Sequence, residues 1–145
     1  MNYIEKLQKW FEEKIKINSL VNKENNIFKQ WEIYYVNFWF NIWSEFNWTR
    51  PALIFELWKY SYWRTNVIVI PITSKKEWKK YNKFDIQISP DKINKLKSNS
   101  IIKLFHIKDI SKTRVKTKIW DISIEILNEI IEKFEKIYIK KPKLE

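Results

Sequence analysis

The sequence predicts a mainly β protein with flanking helices, in which a small, strongly bent sheet or barrel has one helix at each end. Five or six short runs of β-branched and aromatic residues are separated by polar breaks, as in small barrels. Both ends of the chain carry apolar residues at helical spacing. At 145 residues the chain is long enough for one domain with its own core.

The first helix is predicted over residues 3–17, where apolar residues line one face and Lys and Glu occupy the other. Its apolar positions are Ile4, Leu7, Phe11 and Ile15. Residues 18–30 are rich in Asn and show no periodicity, so we expect a linker there.

The strands are predicted at 32–40, 50–57, 66–73, 83–89, 100–107 and 115–120. The third, NVIVIPIT, is an almost continuous apolar run and is expected to be a buried strand. Pro51 fits only the start of the second strand or an edge of the sheet. Residues 89–96 predict a short helix, with Ser89 as its N-cap and Pro90 at its first position.

The last helix is predicted over residues 121–138, with Asp121 or Ser123 as its N-cap. Its apolar positions are Leu127, Ile130, Ile131, Phe134 and Tyr138. We expect the face formed by Leu127, Ile131 and Phe134 to pack on the sheet.

Composition excludes several classes of protein. The chain has no Cys and a single His, His106, which excludes disulfides and makes a multi-histidine metal site unexpected. No apolar run approaches the ~20 residues that span a bilayer, and the N-terminus lacks a signal-peptide layout. We therefore expect a soluble protein of the cytoplasm with no membrane contact.

The net charge of +11 favours an anionic partner such as nucleic acid or an acidic protein segment. An alternative stays open, because Ile, Lys and Asn, whose codons are rich in A and T, make up 63 of the 145 residues. An AT-rich genome raises the lysine content without any ligand.

Tryptophan and glycine are used abnormally in this chain, which has nine Trp and no Gly. Most of the Trp residues fall at the predicted breaks between strands, where a positive φ angle or a tight turn favours glycine. The Trp residues at these breaks are Trp31, Trp43, Trp48, Trp58, Trp63, Trp78 and Trp120, and Trp39 lies in the last part of the first predicted strand.

Several motifs resemble the PemK/MazF family of toxins, and the resemblance covers roughly residues 30–138. The motifs are VNF (36–38), SEFNWTRP (44–51), ALI (52–54), VIVIPITS (67–74), SIIKLFHIKDISKTRV (100–115) and KIWDISIEILNEI (118–130). The resemblance implies an SH3-like/PemK small barrel. It divides the chain into an N-terminal helix and linker (1–29), a toxin domain (30–139) and a basic tail (140–145).

The same resemblance implies a metal-independent endoribonuclease without cofactors, which cleaves single-stranded RNA through attack of the ribose 2′-OH. Arg50 would stabilise charge on the phosphate, Thr73 would donate its hydroxyl, and Glu45 would act as base or orient Arg50. The residues expected to line the RNA path are Ser44, Asn47, Ser74, Lys75, Lys76, His106 and Lys108.

The chain departs from the family pattern at one strand. His106-Ile107-Lys108 stands where the family has Gln-Ile-Arg, and Ser111 replaces an Asp. Lys108 would keep the positive charge of the family arginine, and His106 would titrate near neutrality. A role of this strand in acid–base catalysis therefore stays open.

The expected partners are an acidic antitoxin, a second copy of the chain in a homodimer, and DNA bound together with the antitoxin. An alternative is a non-catalytic toxin like the gyrase poison CcdB, or an RNA- or protein-binding module on the same barrel.

Where a Trp lies within one of these motifs, it occupies a glycine position of the family pattern. Some bacterial lineages decode the codon UGA as glycine and others decode it as tryptophan. We hypothesise that these Trp positions are UGA codons that stand for glycine. Their side chains are then expected to be exposed, in loops or at strand ends, and one or two should have positive φ.

Overall fold

The computed structural model describes residues 2–19, 27–38 and 49–139. The elements in these segments are α1 (Tyr3–Ser19), β1 (Glu32–Asn37), β2 (Thr49–Ile54), α2 (Trp58–Ser61), β3 (Asn66–Ser74), β4 (Ile86–Ile88), β5 (Ser100–Ile102), β6 (Lys108–Ser111), β7 (Val115–Asp121) and α3 (Ile124–Tyr138). Helices at both ends of a seven-stranded sheet confirm the predicted mainly β fold with flanking helices.

The strands pair antiparallel in the order β4-β5-β3-β2-β1-β7. Strand β3 is long enough to pair with β6 along its first half and with β5 along its second half. The register between β1 and β7 shifts on both sides of Tyr34. Such irregularities bend a sheet and increase its twist. The predicted antiparallel, bent sheet is therefore confirmed.

Apolar side chains cover both faces of the sheet. Leu53 and Ile70 belong to one buried cluster, whereas their neighbours Ala52 and Val69 belong to the other. This division follows from the alternation of side chains along a strand. Strand β3 contributes to both clusters, which confirms that its nearly continuous apolar run forms a buried strand.

Helix α3 covers the first of these clusters. Ser123 is its N-cap, because its Oγ accepts a hydrogen bond from the Ile126 amide at 3.4 Å. The predicted packing face is only partly correct, because Ile131 is 42% exposed whereas Ile130 is fully buried. The side chains of α3 that face the sheet are Ile126, Ile130, Phe134 and Ile137.

The helix predicted at 89–96 does not form, and the segment is a turn. Asp91 Oδ1 accepts hydrogen bonds from the amides of Ile93 and Asn94, and Asn94 Oδ1 accepts one from the Leu96 amide. These side chains satisfy the backbone donors locally, which competes with helix formation. Lys95 then adopts a left-handed φ of 46°, which ends any helical path.

The single strand predicted at 100–107 is divided into β5, a 3₁₀ turn at Leu104–His106, and the start of β6. At Lys103, between β5 and this turn, the side-chain ammonium lies 2.7 Å from the buried Asp85 carboxylate. The Lys103 amide donates to the Pro71 carbonyl at 3.0 Å. The fourth predicted strand is likewise reduced to β4, and the short helix α2 was not predicted.

The described tryptophans at predicted breaks meet the structural expectations in part. Trp31 has φ of 71°, Trp58 begins helix α2, and Trp63 and Trp78 are 86% and 78% exposed in turns. Trp58 and Trp120 are also exposed. Trp31 differs in being partly buried, with its ring centroid 5.8 Å from that of Phe55.

Helix α1 contacts the turn before β7 and the end of β1. Its Glu13 Oε2 accepts a hydrogen bond from Asn37 Nδ2 at 3.1 Å. Three of its four apolar positions, Ile4, Phe11 and Ile15, are exposed. Across the described parts of the chain, no helix combines the length and apolarity needed to cross a membrane.

Candidate active site

The register of β2 against β3 brings Arg50 and Thr73 together. Arg50 lies near the start of β2, and Thr73 lies near the end of β3. The antiparallel pairing of Ala52 with Pro71 places the two residues at the same level of adjacent strands. Arg50 Nη1 donates a hydrogen bond of 2.8 Å to Thr73 Oγ1. The two side chains that we expected to act on one phosphate are therefore in direct contact.

This contact leaves the threonine hydroxyl with a proton to donate. A hydroxyl oxygen can accept one hydrogen bond while its own hydrogen points to another acceptor. Because Thr73 accepts from Arg50, its hydrogen can be directed to a phosphate oxygen bound beside the guanidinium. Both residues are partly buried, and Val36, opposite Arg50 on β1, is fully buried. The strands on either side hold the pair in place.

The other two arginines have different surroundings. Arg64 forms ion pairs of 2.8 Å with Glu56 and 2.7 Å with Asp109. These contacts tie the end of β2 to the starts of β3 and β6, which is a structural role. Arg114 lies in the 3₁₀ turn before β7, and its burial lowers the pKa of its guanidinium. Arg50 is the arginine that lies against Thr73.

Ser74, Lys75 and Lys76 continue the chain from Thr73. Lys75 Nζ donates to Gln87 Oε1 at 2.9 Å, so its charge is bound by a neutral amide and not by a carboxylate there. The Lys76 amide donates to the Tyr81 hydroxyl at 2.9 Å. These bonds hold the Lys75 side chain and the Lys76 backbone in the segment that directly follows Thr73, where we expected part of the RNA path.

The segment that carries these lysines is anchored through Tyr81. Its ring centroid lies 5.6 Å from Lys103 Nζ, and Lys103 is paired with the buried Asp85. A buried ion pair of this kind fixes geometry more reliably than it adds stability. Tyr81 and Lys103 were not identified from the sequence, because nothing local distinguishes them from other Tyr and Lys residues.

His106 and Lys108 lie in the turn after β5 and at the start of β6. Lys108 is opposite Val69, four residues before Thr73 on β3, which is about 13 Å along a strand. His106 lies in the 3₁₀ turn after β5, and its amide donates to the Lys103 carbonyl at 3.0 Å. The register therefore does not place Lys108 beside the Arg50–Thr73 contact. Roles for both residues in binding RNA stay predictions.

Three of the predicted site residues, Ser44, Glu45 and Asn47, lie outside the described residues. The same holds for Trp39, Trp43 and Trp48. Their predicted roles are not tested by the geometry. Among the residues that the structure does describe, no group of three or more His, Asp and Glu side chains is arranged to hold a metal ion.

A cavity of about 210 Å³ opens next to Thr73. Its walls include Tyr35 and Pro51, which are paired across β1 and β2, together with Lys97 and Ser98 from the turn before β5. Sequence reasoning missed this cavity, since its walls come from four distant parts of the chain. Only the Ser- and Lys-rich composition of residues 89–100 offered a signal, and that composition is also typical of solvated loops.

The chain is similar to known proteins both in its sequence family and in its fold. A family model described as PemK-like, MazF-like toxin of type II toxin-antitoxin system matches residues 29–138. No significant match to the curated protein sequences was found.

Several solved structures share the fold. MazF from Deinococcus radiodurans superposes with a TM-score of 0.63 and 17% identity, covering 77% of this chain and 96% of that chain. An endoribonuclease in complex with its cognate antitoxin, from a mycobacterial species, superposes with a TM-score of 0.61 and 11% identity, covering 79% of this chain and 98% of that chain. The toxin MazF-mt6 of Mycobacterium tuberculosis superposes with a TM-score of 0.57 and 18% identity, covering 74% of this chain and 95% of that chain.

Proposed function

This chain belongs to the family of PemK-like and MazF-like toxins of type II toxin–antitoxin systems, and from that premise we propose that it is a sequence-selective endoribonuclease that cleaves single-stranded RNA without a metal ion. The observation that carries the proposal is the 2.8 Å hydrogen bond between Arg50 and Thr73 at adjoining strand ends. Arginine with a hydroxyl beside it is suited to bind phosphate oxygens.

In the proposed reaction, the ribose 2′-oxygen attacks the adjacent phosphorus while its proton passes to a base. The bond from phosphorus to the 5′-oxygen breaks, and that oxygen takes up a proton. The products are a 2′,3′-cyclic phosphate and a 5′-hydroxyl. Negative charge accumulates on the phosphate oxygens in the transition state, where fixed donors stabilise it most.

Arg50 supplies positive charge and directed N–H groups at these oxygens, and Thr73 adds its hydroxyl proton. Glu45, which lies in the sequence between β1 and β2, is the proposed base or the group that orients Arg50. Ser74, Lys75 and Lys76 follow Thr73 and would bind the neighbouring RNA backbone. Ser44, Asn47, His106 and Lys108 complete the proposed RNA path.

The proposed partners follow from the family and the charge. The net charge of +11 suits both RNA and an acidic antitoxin segment, which would compete for the same basic surface. By their names, one solved structure with this fold contains a cognate antitoxin, and three others contain MazE with MazF. We propose a homodimeric toxin of the cytoplasm that also binds DNA when in complex with its antitoxin.

The proposal is tested by incubating the protein with single-stranded RNA in EDTA and mapping the cleaved ends. Cleavage should persist and leave 5′-hydroxyl ends. Arg50→Ala should reduce the rate by about 10²–10³-fold, since a positioned transition-state donor has that value. Arg64→Ala is the matched control, because Arg64 is held by Glu56 and Asp109. It should cleave at a near-normal rate if the fold is retained.

Two outcomes would contradict the proposal. Loss of all cleavage in EDTA that returns with a divalent ion would show a metal-dependent reaction. An unchanged rate in both Arg50→Ala and Thr73→Val would favour the non-catalytic alternative, in which the barrel acts by binding RNA or a protein target.

A further inference from the structure

The cavity next to Thr73 has walls of the kind that bind a single unpaired nucleobase. Tyr35 presents an aromatic ring, and Pro51 lies opposite it in the β1–β2 pairing. Thr73 belongs both to the cavity wall and to the contact with Arg50. A nucleotide whose phosphate is bound at Arg50 would therefore have a neighbouring base within reach of the cavity.

Polar and charged groups also line the cavity. Lys97 Nζ is 6.0 Å from the centroid of the Tyr35 ring. Ser98 and Ser100 also line the cavity, and Ser100 Oγ donates to the Ser98 carbonyl at 2.8 Å. This arrangement combines a stacking surface, a cation for a phosphate, and hydroxyl groups for a base edge.

The turn that presents Lys97 and Ser98 is held in one conformation by a buried side chain. Asn94 is fully buried, and its Nδ2 donates to the Ser89 carbonyl at 2.8 Å. Its Oδ1 accepts from the amides of Asp91 at 3.2 Å and Leu96 at 2.9 Å. A polar side chain that is buried and bonded on both ends fixes the turn, so the cavity wall exists before any ligand arrives.

We propose that this cavity is a specificity subsite that receives the base of one nucleotide next to the cleaved phosphate. The base stacks on Tyr35, the Ser98 hydroxyl bonds to its edge, and Lys97 neutralises the flanking phosphate. The proposal rests on the proposed RNA cleavage. It adds that the base preference at one position of the RNA depends on a turn between β4 and β5 that lies outside the Arg50–Thr73 contact.

The test is the cleavage of an RNA pool with random sequence, followed by sequencing of the ends. Ser98→Ala and Tyr35→Ala should each relax the base preference at one position of the RNA, and that position should be the same in both variants. The base preferences at the other positions should not change. Tyr35→Ala should also slow cleavage by about 10-fold or more, because it removes a stacking platform. Tyr35→Phe keeps the ring and should retain both rate and preference.

Lys97→Ala should weaken binding at all sequences without altering the preference, since phosphate contacts carry no sequence information. Tyr60→Ala and Lys59→Ala are the matched controls. Both residues are exposed on α2, at the other end of the β2–β3 hairpin. Their replacement should change neither the RNA affinity nor the base preference.

A second measurement does not depend on cleavage. An oligonucleotide with 2′-O-methyl riboses cannot react, and 2-aminopurine placed at the affected position should be quenched by Tyr35 in the wild type and in Tyr35→Phe, but not in Tyr35→Ala. If the wild type cleaves RNA and both Ser98→Ala and Tyr35→Ala keep every preference, the subsite is wrong and the proposed function stands. If the wild type cleaves no RNA, both proposals fail.

Discussion

Trp31 has a backbone conformation that is unfavourable for a bulky side chain. Its φ of 71° is imposed by pairing, because its amide donates to the Ile54 carbonyl at 2.8 Å just before β1 begins. A left-handed residue with a Cβ atom costs on the order of 1 kcal/mol. Its indole, however, packs against Phe55. The backbone and the side chain of Trp31 therefore act in opposite directions on stability.

The backbone contribution can be isolated by comparing Trp31→Gly with Trp31→Ala. Both variants lose the indole, but only glycine relieves the left-handed strain, so Trp31→Gly should be more stable by about 1 kcal/mol. Among the described residues positive φ occurs at Trp31 and Lys95 and not at Trp63. Trp63→Gly should therefore be no more stable than Trp63→Ala. Urea unfolding of the four variants measures this, and equal stability at position 31 would contradict it.

The hypothesis that these tryptophans stand for glycine has a direct test as well. The coding DNA should contain UGA, and not UGG, at the Trp positions in the breaks. A protein with Gly at all of them should unfold at a higher temperature and cleave RNA faster than the protein with Trp. A more stable Trp version would contradict the hypothesis.

At the scale of elements, helix α3 shows how narrowly a packing face is defined. Ile130 and Ile131 are adjacent in sequence and of identical chemistry, but only Ile130 is fully buried in the cluster beneath α3. Successive residues of a helix are turned by about 100°, so a neighbour of a buried residue can face solvent.

Ile130→Ala should therefore reduce the free energy of unfolding by about 2–5 kcal/mol, because it leaves a cavity in a closed core. Ile131→Ala is the matched control and should change it by less than about 1 kcal/mol. Denaturant unfolding of both variants gives the comparison. Similar losses in the two would show that α3 is rotated relative to the described structure.

Strands β1 and β7 are joined by a charged contact as well as by backbone pairing. Glu32 on β1 lies 2.9 Å from Lys118 Nζ on β7 and accepts from Tyr34 Oη at 2.9 Å. Burial alone would raise the pKa of Glu32, but the bonds from Lys118, Tyr34 and the Lys29 amide outweigh burial and lower it. The charged form of Glu32 is therefore favoured in the folded protein.

A carboxylate whose pKa is lowered on folding stabilises the protein above its ordinary pKa of 4.5, and that stabilisation is lost as the pH falls through the folded value. Glu32→Gln should consequently be less stable than the wild type at pH 7, and the two should converge as the pH falls from 4.5 through the lowered pKa of Glu32. Urea unfolding between pH 7 and pH 3 measures the difference. Glu77→Gln, at an exposed residue after β3, is the control for the removal of one surface carboxylate.

At the scale of the whole molecule, the net charge of +11 attracts RNA before any specific contact forms. Cations near the Arg50–Thr73 contact should take part in phosphate binding, whereas those far from it should contribute little. Lys75 and Lys76 follow Thr73 directly. Lys136 lies on α3 and is paired with Glu132 at 2.6 Å.

RNA affinity should therefore fall steeply with salt, and Lys75→Ala and Lys76→Ala should each reduce the slope of log affinity against log salt by about 0.7. Lys136→Ala should leave the slope unchanged. Fluorescence anisotropy with Arg50→Ala as the parent protein separates binding from cleavage. A slope that falls equally in all three variants would show that only total charge matters.

The sequence by itself determined the order and type of most elements. The β-branched and aromatic run of β1, the apolar run of β3 and the helical spacing of α1 and α3 are local properties, so they can be recognised without the fold. The family motifs also pointed to Arg50 and Thr73. The turn at 89–96 was not predicted, because Asp91 and Asn94 satisfy the backbone by side-chain bonds that helix rules do not count.

Only the tertiary structure decided which side chains meet. Arg50 and Thr73 are 23 residues apart, and their contact depends on the register of β2 against β3. Tyr35 and Lys97 face one cavity because a turn fixed by a buried asparagine reaches back over β1 and β2. Register and packing depend on the free energy of the whole sheet, and no window of sequence contains that information.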